Sequence, residues 1–89
     1  MARLDYGISE IAEIAAPASS ADALFELGLM YSAGRDVECD LVQAHKWFNL
    51  AALRGNEAAK IHRMEIGREL SRADVSRAQK LAREWLRAN

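Results

Sequence analysis

Few side chains in this sequence could do chemistry. Its soft metal ligands are Cys39, His45 and His62. Cys39-x5-His45 would straddle a loop and the start of a helix, which is not a zinc-finger spacing. A nucleophilic site can be drawn from Ser32, Cys39, Asp40 and His45, with the histidine as base. However, Asp40 stands where a helix needs its N-cap, and no glycine-rich elbow presents a nucleophile. Phosphate loops and dinucleotide fingerprints are also missing. The reading is therefore a chain without a catalytic residue, cofactor or metal site. Cys39 reads as a loop thiol, and both histidines as surface or flanking groups.

Charge offers a second kind of chemistry. Arg77, Lys80 and Arg87, with Arg83 nearby, form a basic stripe that could meet RNA or an anionic membrane. Glu84 interrupts it, and the net charge of −1 gives the whole chain no pull toward polyanions. A solvated face is the better reading, so neither nucleic acid nor membrane is expected as a partner. Charge is nevertheless unevenly spread. Residues 1–59 hold four Lys/Arg against nine Asp/Glu, and residues 60–89 hold eight against four. That polarity suits solvated helix faces, or else head-to-tail stacking or an oriented acidic partner.

The lone cysteine rules out an internal disulfide. Met1-Ala2-Arg3-Leu4-Asp5-Tyr6 lacks the apolar stretch of a signal peptide. No run approaches the ~18 apolar residues of a membrane span. The expectation is a soluble, cytoplasmic protein, and the initial Met argues against a longer precursor.

These residues must be positioned by helices. Of 89 residues 51% are hydrophobic, many of them alanine, and the only proline is Pro17. Alanine is the best helix former and lets helices approach closely. Residues that favour strands are scarce. An N-terminal helix is expected over 8–16, with Ile8, Ile11, Ala12 and Ala15 on one face, stopped by Pro17. A second should start at Ser20 or Ala21 and end near Ala33 before Gly34. Asp40 caps a third, with Gln43 completing a capping box. Its face is Leu41, Ala44, Trp47, Phe48, Ala51 and Ala52, and Gly55 stops it. Asn56 opens a fourth, which reaches about Leu70 with Ala58, Ala59, Ile61, Met64 and Ile66 inside. Ser71 or Asp74 caps a fifth, whose apolar stripe is Val75, Ala78, Leu81, Ala82, Trp85 and Leu86.

The helices repeat. Asp40-x-x-x-Ala44 recurs as Asp74-x-x-x-Ala78, an offset of 34, and Ala23 recurs as Ala59, an offset of 36. Two helices per period make a helical-hairpin solenoid, in which a hairpin can bury its apolar face only by stacking on a neighbour. The stretch Ala23-x-x-x-Leu27-Gly28-x-x-Tyr31-x-x-Gly34 resembles the first helix of a Sel1-like repeat. Val37-x-x-Asp40-x-x-x-Ala44-x-x-Trp47-x-x-x-Ala51-Ala52-x-x-Gly55-x-x-x-Ala59 resembles its loop, second helix and exit. The second unit departs from the pattern, reading Arg63-Met64-x-x-Gly67 where Leu-Gly-x-x-Tyr is expected. This organisation suggests one all-α domain over 1–89. In it, 8–16 forms a capping helix, 22–55 a Sel1-like repeat, and 56–87 a degenerate second repeat acting as a cap.

The resemblance to Sel1-like and tetratricopeptide repeats implies binding of another protein. It also implies that the inner face comes from the first helix of each pair. That puts Asp22, Phe25, Leu29 and Ser32 on a groove, with Ile61, Glu65 and Arg68 as the weaker second-unit equivalents. The helix over 22–33 is apolar nearly all round, as a helix covered on both sides would be. Either the 8–16 helix covers Phe25 and Leu29, or a partner does. The expected function is an adaptor that binds a protein through this groove. The alternative is a self-associating, non-catalytic subunit, which would make the partner a second copy.

Overall fold

The computed structural model describes residues 20–88, and the helix expected over 8–16 lies outside them. Among the described residues there are four α-helices and no strand, as the all-α reading expects. They are α1 (Ala21–Ala33), α2 (Leu41–Leu53), α3 (Glu57–Glu69) and α4 (Arg72–Ala88).

Each helix begins at a side chain that accepts otherwise orphaned amides. Ser20 Oγ accepts from the Ala23 amide at 3.2 Å, and Asn56 Oδ1 from Ala59 at 2.8 Å. Ser71 Oγ accepts from Asp74 at 3.0 Å, so Ser71 rather than Asp74 is the cap of α4. Asp40 Oδ1 accepts from both Val42 and Gln43, at 3.0 and 3.1 Å. Such a cap stabilises a helix by about 1 kcal/mol. The reciprocal half of the capping box is not formed. Instead the Asp40 amide donates to the Tyr31 carbonyl at 3.0 Å, which ties the loop back to α1. Gly34 ends α1 in the left-handed conformation (φ 69°), where a β-carbon is costly.

Helix α2 is central and packs against each of the other three. Its Phe48 and Leu50 are fully buried, as is Leu24 of α1. Alanines make up much of the remaining core: Ala44, Ala51 and Ala52 on α2, Ala59 on α3, Ala78 and Ala82 on α4. They bury apolar surface without losing rotamer freedom and let backbones approach. The approach is close at Gly28, where a β-carbon would lie 2.5 Å from Cδ1 and Cε1 of the Phe48 ring. The ring therefore rests on the bare backbone of α1.

Helix α3 turns differently from the expected register. Ala59 and Ile66 are buried, but Ala58, Ile61 and Met64 are exposed. Its inward face is completed by polar side chains with partners, as where Arg63 donates to Asn49 Oδ1 at 2.6 Å. Polar groups held in this way compete with the apolar ones for the inner face. Helix α4 lays Ala78 and Ala82 on the core, while Trp85 meets Trp47 edge-on at 5.9 Å. Val75 and Leu81 are half-buried and Leu86 is exposed, so the apolar stripe of α4 thins toward its C-terminal end.

Two glycines make opposite predictions. Gly28→Ala must displace a buried ring and should cost about 1–3 kcal/mol. At Gly67 a β-carbon would lie 3.8 Å from His45 Nε2, an ordinary contact. There Gly67→Ala should gain helix propensity, up to about 1 kcal/mol. Urea unfolding followed by far-UV circular dichroism measures both, and equal effects would show that Phe48 does not sit on α1.

Candidate protein-binding groove

Helices α1 and α3 are the first helices of successive hairpins, and they meet through side chains. Asn56, at the start of α3, donates from Nδ2 to Asp22 Oδ1 at 3.4 Å. One turn further along, Phe25 lies edge-on to His62, with ring centroids 5.4 Å apart. Phe25 also tilts against Phe48 at 5.7 Å, and His62 stacks on Phe48 at 5.1 Å. Three rings from three helices thus share one contact, at separations favourable for aromatic pairs. Of the groove residues inferred from sequence, Asp22 and Phe25 are brought against α3, at Asn56 and His62. Leu29 is partly buried against the core. Ser32 turns its hydroxyl back to donate to the Leu29 carbonyl at 3.1 Å. Ile61, Glu65 and Arg68 are exposed on α3, and among the described residues no hydrogen bond or ion pair joins Glu65 or Arg68 to α1.

Residues named for packing the repeat fall into two groups. Gly28, Ala44, Ala51, Ala52 and Ala59 are buried, and Ala23, Leu27, Tyr31 and Trp47 are half-buried beside them. Gly34, Asp40 and Gly55 are exposed at the helix ends, where they shape the backbone and not the core.

The histidines correct the reading of the sequence. His45 is only 4% exposed, and His62 is half-buried among the rings. Spacing alone held the signal. His62 lies three residues after Ala59 and four before Ile66, on the buried stripe of α3. His45 lies four after Leu41 and three before Phe48, on the inner stripe of α2. Their polarity concealed them.

The groups that could have formed a reactive site are occupied singly. Asp40 holds the two amides of its cap, and the exposed Cys39 thiol lies 3.6 Å from the Ser32 carbonyl. Among the described residues no three His, Cys, Asp or Glu side chains converge to hold a metal. No described helix is long and apolar enough to cross a membrane. Lys46 sets its ammonium 4.1 Å from the Trp47 ring centroid. Burial pushes that amine below its usual range, and Glu84 pulls it partly back.

A family model described as the Sel1 repeat matches residues 21–56 and, a second time, residues 65–88, together more than half of the chain. The first match spans α1, α2 and their loop; the second begins inside α3 and runs to the end of α4. No curated protein and no solved structure matches the chain significantly.

The geometry of His45 makes stability depend on pH. Burial first, then the charge of Arg63, holds its imidazole below the ordinary range. Among the described residues its Nδ1 finds no hydrogen-bond partner. The folded chain keeps His45 neutral, whereas the unfolded chain protonates it near pH 6.5. Below about pH 6.5 the unfolded state binds more protons, so stability rises with pH there. The contribution is complete above that value and is lost as pH falls toward the lower folded one. The urea midpoint should therefore drop between about pH 7.5 and about pH 5.5. His45→Gln should flatten that slope, and parallel profiles for the two proteins would sink the assignment.

Proposed function

We propose that this chain, which belongs to the Sel1-repeat family, is a non-catalytic module that holds a partner protein against its α1–α3 face. Sel1 repeats generally mediate protein–protein interaction and are generally non-catalytic. The observation that carries the reading is on α3. Ile61 and Met64 are 55% and 52% exposed, one turn apart, among charged neighbours. Large apolar side chains left in water at about 25 cal/mol per Å² are a standing gain for whatever covers them. On this reading, Phe25 and Leu29 form the half-buried floor on α1. Ile61 supplies an anchor, and Asp22, Ser32, Glu65 and Arg68 set the polarity of what can lie across them. An amphipathic helix or an extended segment of the partner suits such a face. We assign the action to the cytoplasm as an adaptor, because the free thiol of Cys39 needs no oxidising compartment.

Variants on α3 test the reading most cleanly, because Phe25 also supports the core and its loss would disturb the fold. Affinity purification after in-cell crosslinking would compare wild type, Ile61→Asp/Met64→Asp and Leu29→Ala, each checked by circular dichroism. If the two α3 side chains anchor the partner, specific recovery should fall about 30-fold or more in the double variant. Leu29→Ala should give a smaller loss. Full recovery by a folded double variant would reject the face as the binding site.

A further inference from the structure

The exposed stripe of α3 is complementary to itself. Glu57, Lys60, Ile61, Met64, Glu65 and Arg68 are all exposed, and their spacing puts them on one side of the helix. Turn a second α3 antiparallel, about a two-fold axis between positions 62 and 63. Ile61 then faces Met64 of the second copy, Lys60 faces its Glu65, and Glu57 faces its Arg68. Each pair is equidistant from the axis, so each occurs twice. The apolar residues meet at the centre, and the outer pairs unite opposite charges without a like-charge clash. Lys60 already leans on Glu57 at 3.3 Å, which orients both side chains on this side. Two-fold interfaces require this kind of self-matching surface.

We propose that this stripe docks a second copy of the chain, forming a symmetric dimer through antiparallel α3 helices. The inference deepens the functional reading above, because it rests on the α1–α3 face being an interaction surface and names the partner for the α3 part. The repeat explains why the face is available. The offset that relates Ala23 to Ala59 relates Phe25 to Ile61. Phe25 is covered by His62 of the following first helix, and nothing among the described residues covers Ile61 in the same way. The contact spans about three helical turns. It lies below the roughly 800 Å² per partner of a standard interface, so the dimer is weak and reversible.

Sedimentation equilibrium of the full chain, from about 10 μM to about 1 mM, reads the association. Wild type should pass from monomer to dimer within that range, less readily at high salt. Ile61→Asp should abolish the dimer. Glu57→Arg alone, or Arg68→Glu alone, places like charges opposite each other twice and should weaken it about tenfold. An equimolar mixture of those two variants, or the double exchange Glu57→Arg/Arg68→Glu in one chain, restores opposite pairs and should recover association. A wild type that stays monomeric throughout would overturn the dimer. So would single reversals without effect, or a mixture no better than its components. If wild type is monomeric yet Ile61→Asp/Met64→Asp still loses a captured protein, the dimer fails and the groove reading stands. If capture is also unchanged, both fail.

Discussion

The packing of Phe48 on Gly28 is the contact on which the rest of the structure depends. Placing a ring within van der Waals reach of a helix backbone requires a residue without a side chain, and α1 offers one at the crossing with α2. Close approach lets Leu24 reach full burial beside Phe48. The same ring carries Phe25 of α1 and His62 of α3 on its remaining surface. One side chain therefore joins the two helices of the first hairpin and docks the first helix of the second. Full burial of a phenylalanine is worth about 1.5–3 kcal/mol. The ring also fixes geometry, because each aromatic neighbour has a preferred tilt and distance.

The second unit is not a copy of this arrangement. The repeat offsets put Met64 where the first unit has Gly28, and Ala82 where it has Phe48. The side chain without volume and the large ring are both gone. Met64 points to solvent, and α3 and α4 do not pack along their lengths. Helix α4 instead leans on α2 through Ala78, Ala82 and the Trp47–Trp85 pair. Helix α2 thus serves both hairpins, and α3 is held mainly from one side. The departure at Arg63-Met64 falls in the stretch between the two matches to the family model.

Helix limits were legible because capping chemistry is local. Ser20, Asp40, Asn56 and Ser71 can be read as caps from a few residues of context, and Gly34 marks a helix end by its freedom to take positive φ. Of the face expected on α2, Ala44, Phe48, Ala51 and Ala52 are buried, but so are Val42 and Leu50 outside it. On α1, apolar nearly all round, spacing did not single out the buried Leu24 and Met30. Helix α3 is turned from its expected register for a physical reason. Part of its inward face is polar, with His62 spent on ring stacking and Arg63 on Asn49, while Ile61 and Met64 face outward. A rule that sends apolar residues inward gives the wrong rotation whenever tertiary partners satisfy the polar ones. His45 was missed similarly. Its stripe was visible, but a titratable ring buried without a partner for Nδ1 is uncommon enough that polarity alone argued against burial.

That inversion of α3 underlies the proposed binding face. If its polar inward residues were replaced by apolar ones and Ile61 and Met64 by charge, the helix would satisfy ordinary patterning and have nothing to offer. The observed helix spends polar contacts on its core and keeps apolar surface for outside, with charges of both signs flanking it. Scattered apolar residues on a surface need no explanation. Two of them one turn apart do need one, because their equivalents in the preceding hairpin are Phe25, half-buried against His62, and Gly28, buried under the Phe48 ring. A solenoid repeat makes stacking faces by construction, and each remains a cost in water until something is laid on it. In α3 that cost falls on Ile61 and Met64, exposed beside charges of both signs.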